Sequence, residues 1–197
     1  MRYDKEKHHR RSIRLKNYDY SQAGAYFVTI CTQGRECLFG EIKNNQMHLN
    51  EAGGMGEKVW NELPEKYPGV EIDELIVMPN HIHGIIILSV GAGPCACPET
   101  ETNQSLRKGQ PQGVAPTRLS LPDVVHRYKS FTTSQYRTGV EQFNWLSFPG
   151  KLWQRNYYEH IIRNEDDLNS IREYIRYNPL KWDEDEENPD NKRRGNS

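Results

Sequence analysis

Two apolar, β-rich segments separated by a turn constrain the fold of this chain most strongly. Residues 70–78 and 81–90 are rich in valine and isoleucine, and the Pro79-Asn80 pair between them is typical of a tight turn. Together they predict an antiparallel hairpin. The apolar run at 82–90 is much shorter than the roughly 20 residues of a membrane-spanning helix, so we expect no membrane segment and no membrane partner. The charged N-terminus lacks the apolar stretch of a signal peptide, which favours a cytoplasmic protein.

Strand and helix patterns alternate on both sides of this hairpin. Residues 25–32 are dense in β-branched and aromatic side chains, whereas apolar residues recur with helical spacing after Asn50, Leu119 and Asn164. In chain order the other predicted elements are a strand at 25–32, a short hairpin at 39–49, a helix at 51–63, a helix from 121, a strand at 152–162 and a helix at 165–178. This order predicts an α+β protein with a ferredoxin-like antiparallel sheet, helices on one face and an added C-terminal helix.

The charges are segregated, although the net charge is only −1. Residues 1–18 carry seven Lys or Arg and two Asp or Glu (7 − 2 = +5), and residues 118–163 carry seven and three (7 − 3 = +4). Residues 183–190 carry six acids and no base. Two basic segments are typical of a polyanion-binding protein, but ordinary solvated surface charge explains them equally well.

Composition also predicts how the chain is divided. We expect a basic N-terminal arm at 1–18, a globular domain at 19–182 and a disordered acidic tail at 183–197. Within the domain, residues 91–118 consist largely of Gly, Pro, Gln, Thr and Ser. They offer too little apolar area to offset the entropy of ordering them, which predicts a flexible insertion.

A pair of histidines stands at the start of the second hairpin strand. Side chains alternate across a strand, so His81 and His83 are expected on one face and Ile82 on the other. Two imidazoles in this arrangement are candidate metal ligands, and the alternative is a pair of ordinary surface histidines. Because two histidines do not complete a metal site, a third ligand is expected elsewhere.

The last predicted helix brings a phenol and an amide together. Tyr174 and Asn178 are four residues apart and therefore share a helical face, beside the apolar stripe of Leu168, Ile171 and Ile175. The ordinary alternative is a tyrosine at the edge of the core and an asparagine that ends a helix before Pro179. Tyr177 is the strongest rival to Tyr174 as a reactive phenol.

Four motifs in this order resemble the HUH (His-hydrophobic-His) single-tyrosine transposases of insertion sequences, in particular the REP-associated tyrosine transposases (RAYT). The motifs are Val77-Met-Pro-Asn-His-Ile-His-Gly84, Trp153-Gln-Arg-Asn-Tyr-Tyr-Glu-His160, Glu165-Asp-Asp-Leu168 and Tyr174-Ile-Arg-Tyr-Asn-Pro179. The resemblance extends from about residue 25 to residue 181. The resemblance implies that residues 19–182 form an HUH transposase-like catalytic domain.

The resemblance implies a role for each motif residue. His81 and His83 match the metal-binding pair, Tyr174 the nucleophile, and Asn178 the polar residue that completes a Mg²⁺ or Mn²⁺ site. The implied activity is metal-dependent cleavage and joining of single-stranded or hairpin DNA through a 5′-phosphotyrosine. The implied location is the nucleoid of a bacterial cytoplasm. The protein would act as a monomer or as a homodimer that exchanges the tyrosine helix. A catalytically silent hairpin-DNA-binding protein and a metal phosphohydrolase that uses water remain the alternatives.

Several basic residues could contact DNA phosphates. The candidates are Arg10, Arg11, Arg14, Lys16, Arg127, Lys129 and Arg155, with Arg137 and Lys151 beside them in the second basic segment. Trp145 and Trp153 could offer stacking surfaces for bases. Each has an ordinary alternative as a solvated charge or a core aromatic residue.

Overall fold

The computed structural model describes residues 14–15, 17–89 and 119–194, the last three by their backbone only. Arg10, Arg11, Lys16 and the insertion expected at 91–118 lie outside the described residues. The strands are β1 (Gly24–Cys31), β2 (Gly40–Lys43), β3 (Gln46–Leu49), β4 (Val70–Val77), β5 (His81–Leu88) and β6 (Tyr158–Ile162). The helices are α1 (Glu51–Asn61), α2 (Leu63–Lys66), α3 (Leu121–Phe143), α4 (Glu165–Tyr177) and α5 (Pro189–Arg194), with 3₁₀ turns at Gln33–Arg35 and Asn178–Glu184.

Four strands form one antiparallel sheet in the order β4-β5-β1-β6, which confirms the predicted ferredoxin-like fold. β2 and β3 form a separate hairpin. The main core lies between one sheet face and helices α1 and α3, whereas α4 packs on the opposite face. No helix in the described part of the chain is long and apolar enough to cross a membrane.

Strand alternation in β1 supplies both cores. Tyr26, Val28 and Ile30 point into the main core, and Phe27 joins Ile85 and Ile175 in the smaller core beneath α4. The register pairs Cys31 with His81 and Thr29 with His83. The histidines therefore lie on the sheet face that α4 covers.

Helix α4 is fixed in place by a cap, an apolar stripe and two ion pairs. The Asn164 side chain accepts a hydrogen bond from the backbone N–H of Asp167 at 2.9 Å, as expected for an N-cap. Ile175 is buried in the smaller core. Arg172 donates to both carboxylate oxygens of Asp73, at 3.0 and 2.5 Å. Arg176 pairs with Glu74 nearby, so both arginines tie α4 to an irregular part of β4.

The prediction of a disordered tail is wrong for residues 183–191. The chain continues from α4 through the 3₁₀ turn, and Glu187 pairs with Arg35. Asn188 is buried and donates from Nδ2 to the Trp182 carbonyl at 2.9 Å, while Asn80 donates to the Glu187 carbonyl at 2.8 Å. These residues are ordered by hydrogen bonds and ion pairs rather than by apolar burial, which a prediction from composition cannot detect.

The last strand is shorter than predicted. β6 begins at Tyr158 instead of residue 152. Trp153 forms a single β-bridge with Thr32, but residues 154–157 then leave the sheet before β6 begins. The Gln154 N–H still donates to the Cys31 carbonyl at 2.9 Å. Residues 154–157 therefore form a bulged loop at the sheet edge, beside β1.

Candidate metal and tyrosine site

His81 and His83 form a buried imidazole pair. Their Nε2 atoms lie 2.9 Å apart, and the exposed fractions of the two residues are 0% and 3%. The predicted alternation is confirmed, since Ile82 between them lies in the main core. A pair of ordinary surface histidines is thereby excluded.

Hydrogen bonds to the other ring nitrogens orient both imidazoles. Nδ1 of His81 lies 2.8 Å from Oδ1 of Asn80, and the Asn80 amide nitrogen donates to the carbonyls of Arg35 and Glu187. Because Oδ1 can only accept, Nδ1 of His81 carries the proton and its Nε2 presents a lone pair. Nδ1 of His83 lies 2.8 Å from the Thr29 hydroxyl. A hydrogen-bond partner on the ring nitrogen that does not face the metal, here Nδ1, is typical of metal-binding histidines.

The electrostatics keep both rings neutral. Burial lowers the pKa of His81 well below its ordinary value, and His83 and Arg35 lower it further. Burial also lowers the pKa of His83 to about 3. Neutral imidazole is the form that ligates a metal, so at neutral pH neither ring carries a positive charge that would repel a cation.

A third ligand candidate comes from the segment that was expected to be a disordered tail. Oδ2 of Asp185 lies 3.8 Å from Nε2 of His81, and the three side chains of His81, His83 and Asp185 offer ligand atoms within 4.8 Å of one another. Burial raises the pKa of Asp185, and the carboxylates of Glu187 and Glu186 raise it further. A divalent cation would relieve this repulsion.

Asn178, the third ligand implied by the sequence resemblance, also reaches the site. It is 2% exposed, and its Oδ1 has no hydrogen-bond partner among the described residues. A buried amide oxygen without a partner is costly unless something binds it. Two imidazole nitrogens, a carboxylate and a free amide oxygen form a donor set that fits a divalent metal ion. The residues present could therefore hold such an ion.

Tyr174 lies over the imidazole pair. Its ring packs edge-on against the His83 ring, with centroids 5.2 Å apart, and against Phe27 at 5.8 Å. Burial raises the pKa of the phenol and the Asp185 carboxylate raises it further, whereas the Asn178 amide opposes the shift. The hydroxyl is therefore protonated at neutral pH and needs help to act as a nucleophile.

An open cavity of about 680 Å³ joins these groups. Its lining includes His83, Tyr174, Asn178 and Asp185. Tyr177 is not among the lining residues and is 54% exposed, so the structure separates it from the imidazole pair. The cavity also reaches His160, whose Nε2 lies 3.0 Å from Oδ2 of Asp167.

The basic residues predicted to contact DNA have different surroundings. Arg14 donates to the Tyr157 hydroxyl at 3.4 Å and lies over its ring, and the Arg127 guanidinium lies 4.8 Å from the centre of the Tyr67 ring. Lys129 donates to three backbone carbonyls in the bulged loop. Arg155 in that loop is exposed.

The tryptophans proposed as stacking surfaces are not freely available. Trp153 is buried in the main core, and its Nε1 donates to the Thr132 hydroxyl at 2.8 Å. Trp145 packs against Tyr136 and donates to Glu51 at 2.8 Å. Trp153 in particular has the ordinary core role that the sequence left open.

Comparison with known proteins identifies relatives along most of the chain. No family model matches. A Haemophilus influenzae protein of uncharacterized function is 43% identical over 187 residues, which cover 94% of this chain and 96% of that protein. A second Haemophilus influenzae protein, named "Putative REP-associated tyrosine transposase", is 26% identical over 172 residues, covering 85% of this chain and 77% of that protein.

A solved structure has the same fold. It is a REP-associated tyrosine transposase bound to a REP hairpin, with a TM-score of 0.51 and 19% identity, and the match covers 85% of this chain and 73% of that chain. An antiparallel sheet that places two histidines opposite a helix-borne tyrosine is the arrangement of the HUH single-tyrosine transposase class. This chain has the fold of a REP-associated tyrosine transposase, and over 85% of its length it is similar to a protein that carries that name.

Proposed function

We propose that this protein is a metal-dependent endonuclease and strand transferase that acts on single-stranded DNA beside a hairpin, through a 5′-phosphotyrosine at Tyr174. The observation that carries the proposal is the packing of the Tyr174 ring on the His83 ring, above the buried imidazole pair of His81 and His83. Among the described tyrosines, Tyr174 is the one on α4 that lines the cavity with His83 and Asp185.

His81, His83, Asp185 and Asn178 would hold a divalent ion, for which we propose Mg²⁺ or Mn²⁺. Carboxylate and amide oxygens such as those of Asp185 and Asn178 are the ligand types that these cations prefer. When bound, the ion supplies charge withdrawal from a non-bridging phosphate oxygen.

In the proposed reaction the Tyr174 oxygen attacks the phosphorus in line with the departing 3′ oxygen. The bond between phosphorus and that oxygen breaks, and the new bond joins phosphorus to the tyrosine. The phenolic proton passes to solvent, and the departing 3′ oxygen takes up a proton from solvent. The products are a 5′-phosphotyrosine and a free 3′-hydroxyl. A second 3′-hydroxyl can reverse the step and join a new DNA end, and no nucleotide cofactor is consumed.

The acidic wall of the cavity accounts for metal dependence. Glu184, Asp185 and Glu186 line it beside a single described lysine, Lys181, and would repel a DNA phosphate. A bound ion would reduce this repulsion where the substrate meets Tyr174.

The packing of α4 completes the site in either assembly. Ile175 is buried against Phe27 and Ile85, and Arg172 pairs with Asp73 on β4. A monomer makes these contacts within one chain, and a helix-exchanged homodimer makes the same contacts between two copies. Sedimentation at working concentration distinguishes the two assemblies.

A labelled hairpin with a single-stranded flank, incubated with the protein and Mn²⁺ or Mg²⁺, separates the candidate functions on a denaturing gel. A DNA–protein adduct that forms only with the metal supports the proposal. Hairpin binding without adduct or product supports the catalytically silent DNA-binding protein. Cleaved product without any adduct supports a phosphohydrolase that uses water.

A further inference from the structure

The Asn80 side chain lies between the His81 imidazole and the chain segment that carries Asp185. We infer that Asn80 is a positioning residue, which clamps residues 185–188 to the histidine strand and so holds Asp185 ready beside the imidazole pair. The inference rests on the proposed function, because it takes Asp185 as a ligand of the divalent ion. It adds that ion binding and the docking of residues 185–188 are coupled, so that each strengthens the other.

Both ends of the Asn80 amide are engaged. Oδ1 lies 2.8 Å from Nδ1 of His81, and Nδ2 donates to the carbonyls of Arg35 and Glu187 at 3.0 and 2.8 Å. The reverse orientation of the amide would set its oxygen against two carbonyl oxygens, so this network determines which end faces His81. Because Asn80 is 0% exposed, loss of its side chain would leave these groups without a partner in the interior.

Asn80 itself is held in a hydrogen-bonded turn. Its carbonyl accepts from the Thr32 N–H at 2.8 Å, which ties the turn to the chain just after β1. The Met78 N–H donates to the His81 carbonyl at 2.8 Å and closes the turn between β4 and β5. The amide is therefore mounted on a fixed part of the sheet, as a positioning group requires.

Glu187 joins residues 185–188 to the rest of the protein. Its carbonyl accepts from Asn80, and its carboxylate pairs with Arg35. Within the segment, the Glu187 N–H donates to Oδ1 of Asp185 at 2.6 Å, while Oδ2 of Asp185 lies 3.8 Å from Nε2 of His81. The clamp at Glu187 thus aligns a carboxylate two residues away.

His83 provides an internal comparison. Its Nδ1 lies 2.8 Å from the hydroxyl of Thr29, the residue that pairs with it in the sheet. Both imidazoles are therefore oriented through Nδ1, but the partner of His83 belongs to β1, whereas the partner of His81 also holds the segment 185–188. Loss of either partner should weaken metal binding, and only the loss of Asn80 should release the segment.

Coupling between two binding events is reciprocal. A docked segment presents Asp185 without the cost of ordering the chain at the moment of binding, and with the ion bound Asp185 in turn holds the segment in place. A change that loosens the segment should therefore lower the affinity for the ion. The ion should in turn protect the segment from opening.

The experiment measures Mn²⁺ affinity by calorimetry and amide hydrogen exchange of residues 183–191, both without DNA. Asn80→Ala removes the clamp, and Thr29→Val is the matched control, because it removes the corresponding hydrogen bond from His83. Asn188→Ala loosens the segment from its far end, where the buried Asn188 amide donates to a backbone carbonyl at 2.9 Å, a hydrogen bond that involves neither histidine. Circular dichroism verifies that each variant is folded.

We expect Asn80→Ala to bind Mn²⁺ at least about tenfold more weakly than the parent protein. In the metal-free variant, residues 183–191 should exchange at least about tenfold faster, and saturating Mn²⁺ should slow that exchange again. Thr29→Val should weaken Mn²⁺ binding with little change in the exchange of the segment.

Asn188→Ala should speed the exchange and weaken Mn²⁺ binding by about fivefold. In an Asp185→Asn background it should no longer alter Mn²⁺ affinity, because the coupling passes through the Asp185 carboxylate.

Unchanged exchange or unchanged Mn²⁺ affinity in Asn80→Ala overturns the inference, and so does an equal release of the segment by Thr29→Val. If Asn80→Ala does not fold, Asn188→Ala decides, and faster exchange with unchanged Mn²⁺ affinity overturns the inference. A parent protein that binds no Mn²⁺ would defeat the proposed metal site as well, whereas loss of the coupling alone leaves the proposed function in place.

Discussion

The ring of Tyr174 packs edge-on against the ring of His83, with centroids 5.2 Å apart, although the two residues lie in different halves of the chain. The contact depends on α4 crossing the sheet face that carries His81 and His83. The Phe27 ring packs against the rings of both His83 and Tyr174 and so supports their contact. The site is thus built where the smaller core meets the 3₁₀ turn after α4.

Asp185 is predicted to contribute to metal affinity. Asp185→Asn removes the carboxylate nearest to Nε2 of His81 while preserving its size, and we expect Mn²⁺ affinity to fall at least about tenfold. Calorimetry without DNA measures it. Glu186→Gln is the matched control, since Glu186 lines the same cavity but is not one of the three grouped ligands. If the two substitutions lowered the Mn²⁺ affinity equally, Asp185 would not be a metal ligand.

The Arg172–Asp73 pair is predicted to hold Tyr174 in position. Asp73→Asn breaks a two-pronged, half-buried contact, so we expect a loss of about 1 kcal/mol in the free energy of unfolding. Adduct formation should slow more than hairpin binding weakens. The control is Glu74→Gln, whose partner Arg176 is more exposed; it should cost less than about 0.5 kcal/mol. Chemical denaturation and single-turnover adduct assays would show whether the two pairs differ.

Gly84 is predicted to be required for packing rather than for chain flexibility. A Cβ atom at Gly84 would overlap the indole of Trp60, which is fully buried, so Gly84→Ala should lower the free energy of unfolding by about 1–3 kcal/mol. Gly54 in α1 has open space around its Cβ position. Gly54→Ala should therefore raise that free energy by up to about 1 kcal/mol. Thermal or urea unfolding that gives both substitutions the same sign would be inconsistent with this packing.

The buried histidines predict how stability depends on pH in the absence of metal. The folded-state pKa of each is depressed, to about 3 for His83, whereas an unfolded histidine titrates near 6.5. Below pH ~6.5 the unfolded chain binds protons that the folded chain excludes, so the free energy of unfolding falls as pH falls. Each histidine contributes up to about 1.4 kcal/mol per pH unit, and neither contributes above that range. Urea unfolding of His83→Gln between pH 4 and 6.5 should show a shallower dependence, and an unchanged slope would indicate that His83 is protonated in the folded protein.

The sequence predicted the parts of the fold that arise from local patterning. Alternation placed His81 and His83 on one face, and the helical spacing of Leu168, Ile171 and Ile175 marked the buried side of α4. The helical patterns that follow Asn50 and Asn164 are confirmed as helices, and each asparagine is the N-cap of its helix. In each case the determining interaction lies within a few residues of sequence.

Asp185 could not be found in this way. It stands in a run of acids with no apolar periodicity, and such a run is usually solvated. Its position depends on distant partners: Glu187 pairs with Arg35, and its carbonyl accepts from Asn80, the residue before His81. The Asn80 side chain makes contacts of this kind, but the residues that it contacts are far away in the sequence. A local sequence pattern therefore cannot identify them.

The most direct test of the account is to locate the covalent attachment to DNA. Trypsin cuts after Arg172, Arg176 and Lys181, so Tyr174 falls in peptide 173–176 and Tyr177 in peptide 177–181. After reaction with a flanked hairpin and Mn²⁺, followed by nuclease trimming and mass spectrometry, we expect a nucleotide on peptide 173–176. The modification should disappear in Tyr174→Phe and persist in Tyr177→Phe. A nucleotide on peptide 177–181, or an adduct that survives Tyr174→Phe, would contradict it.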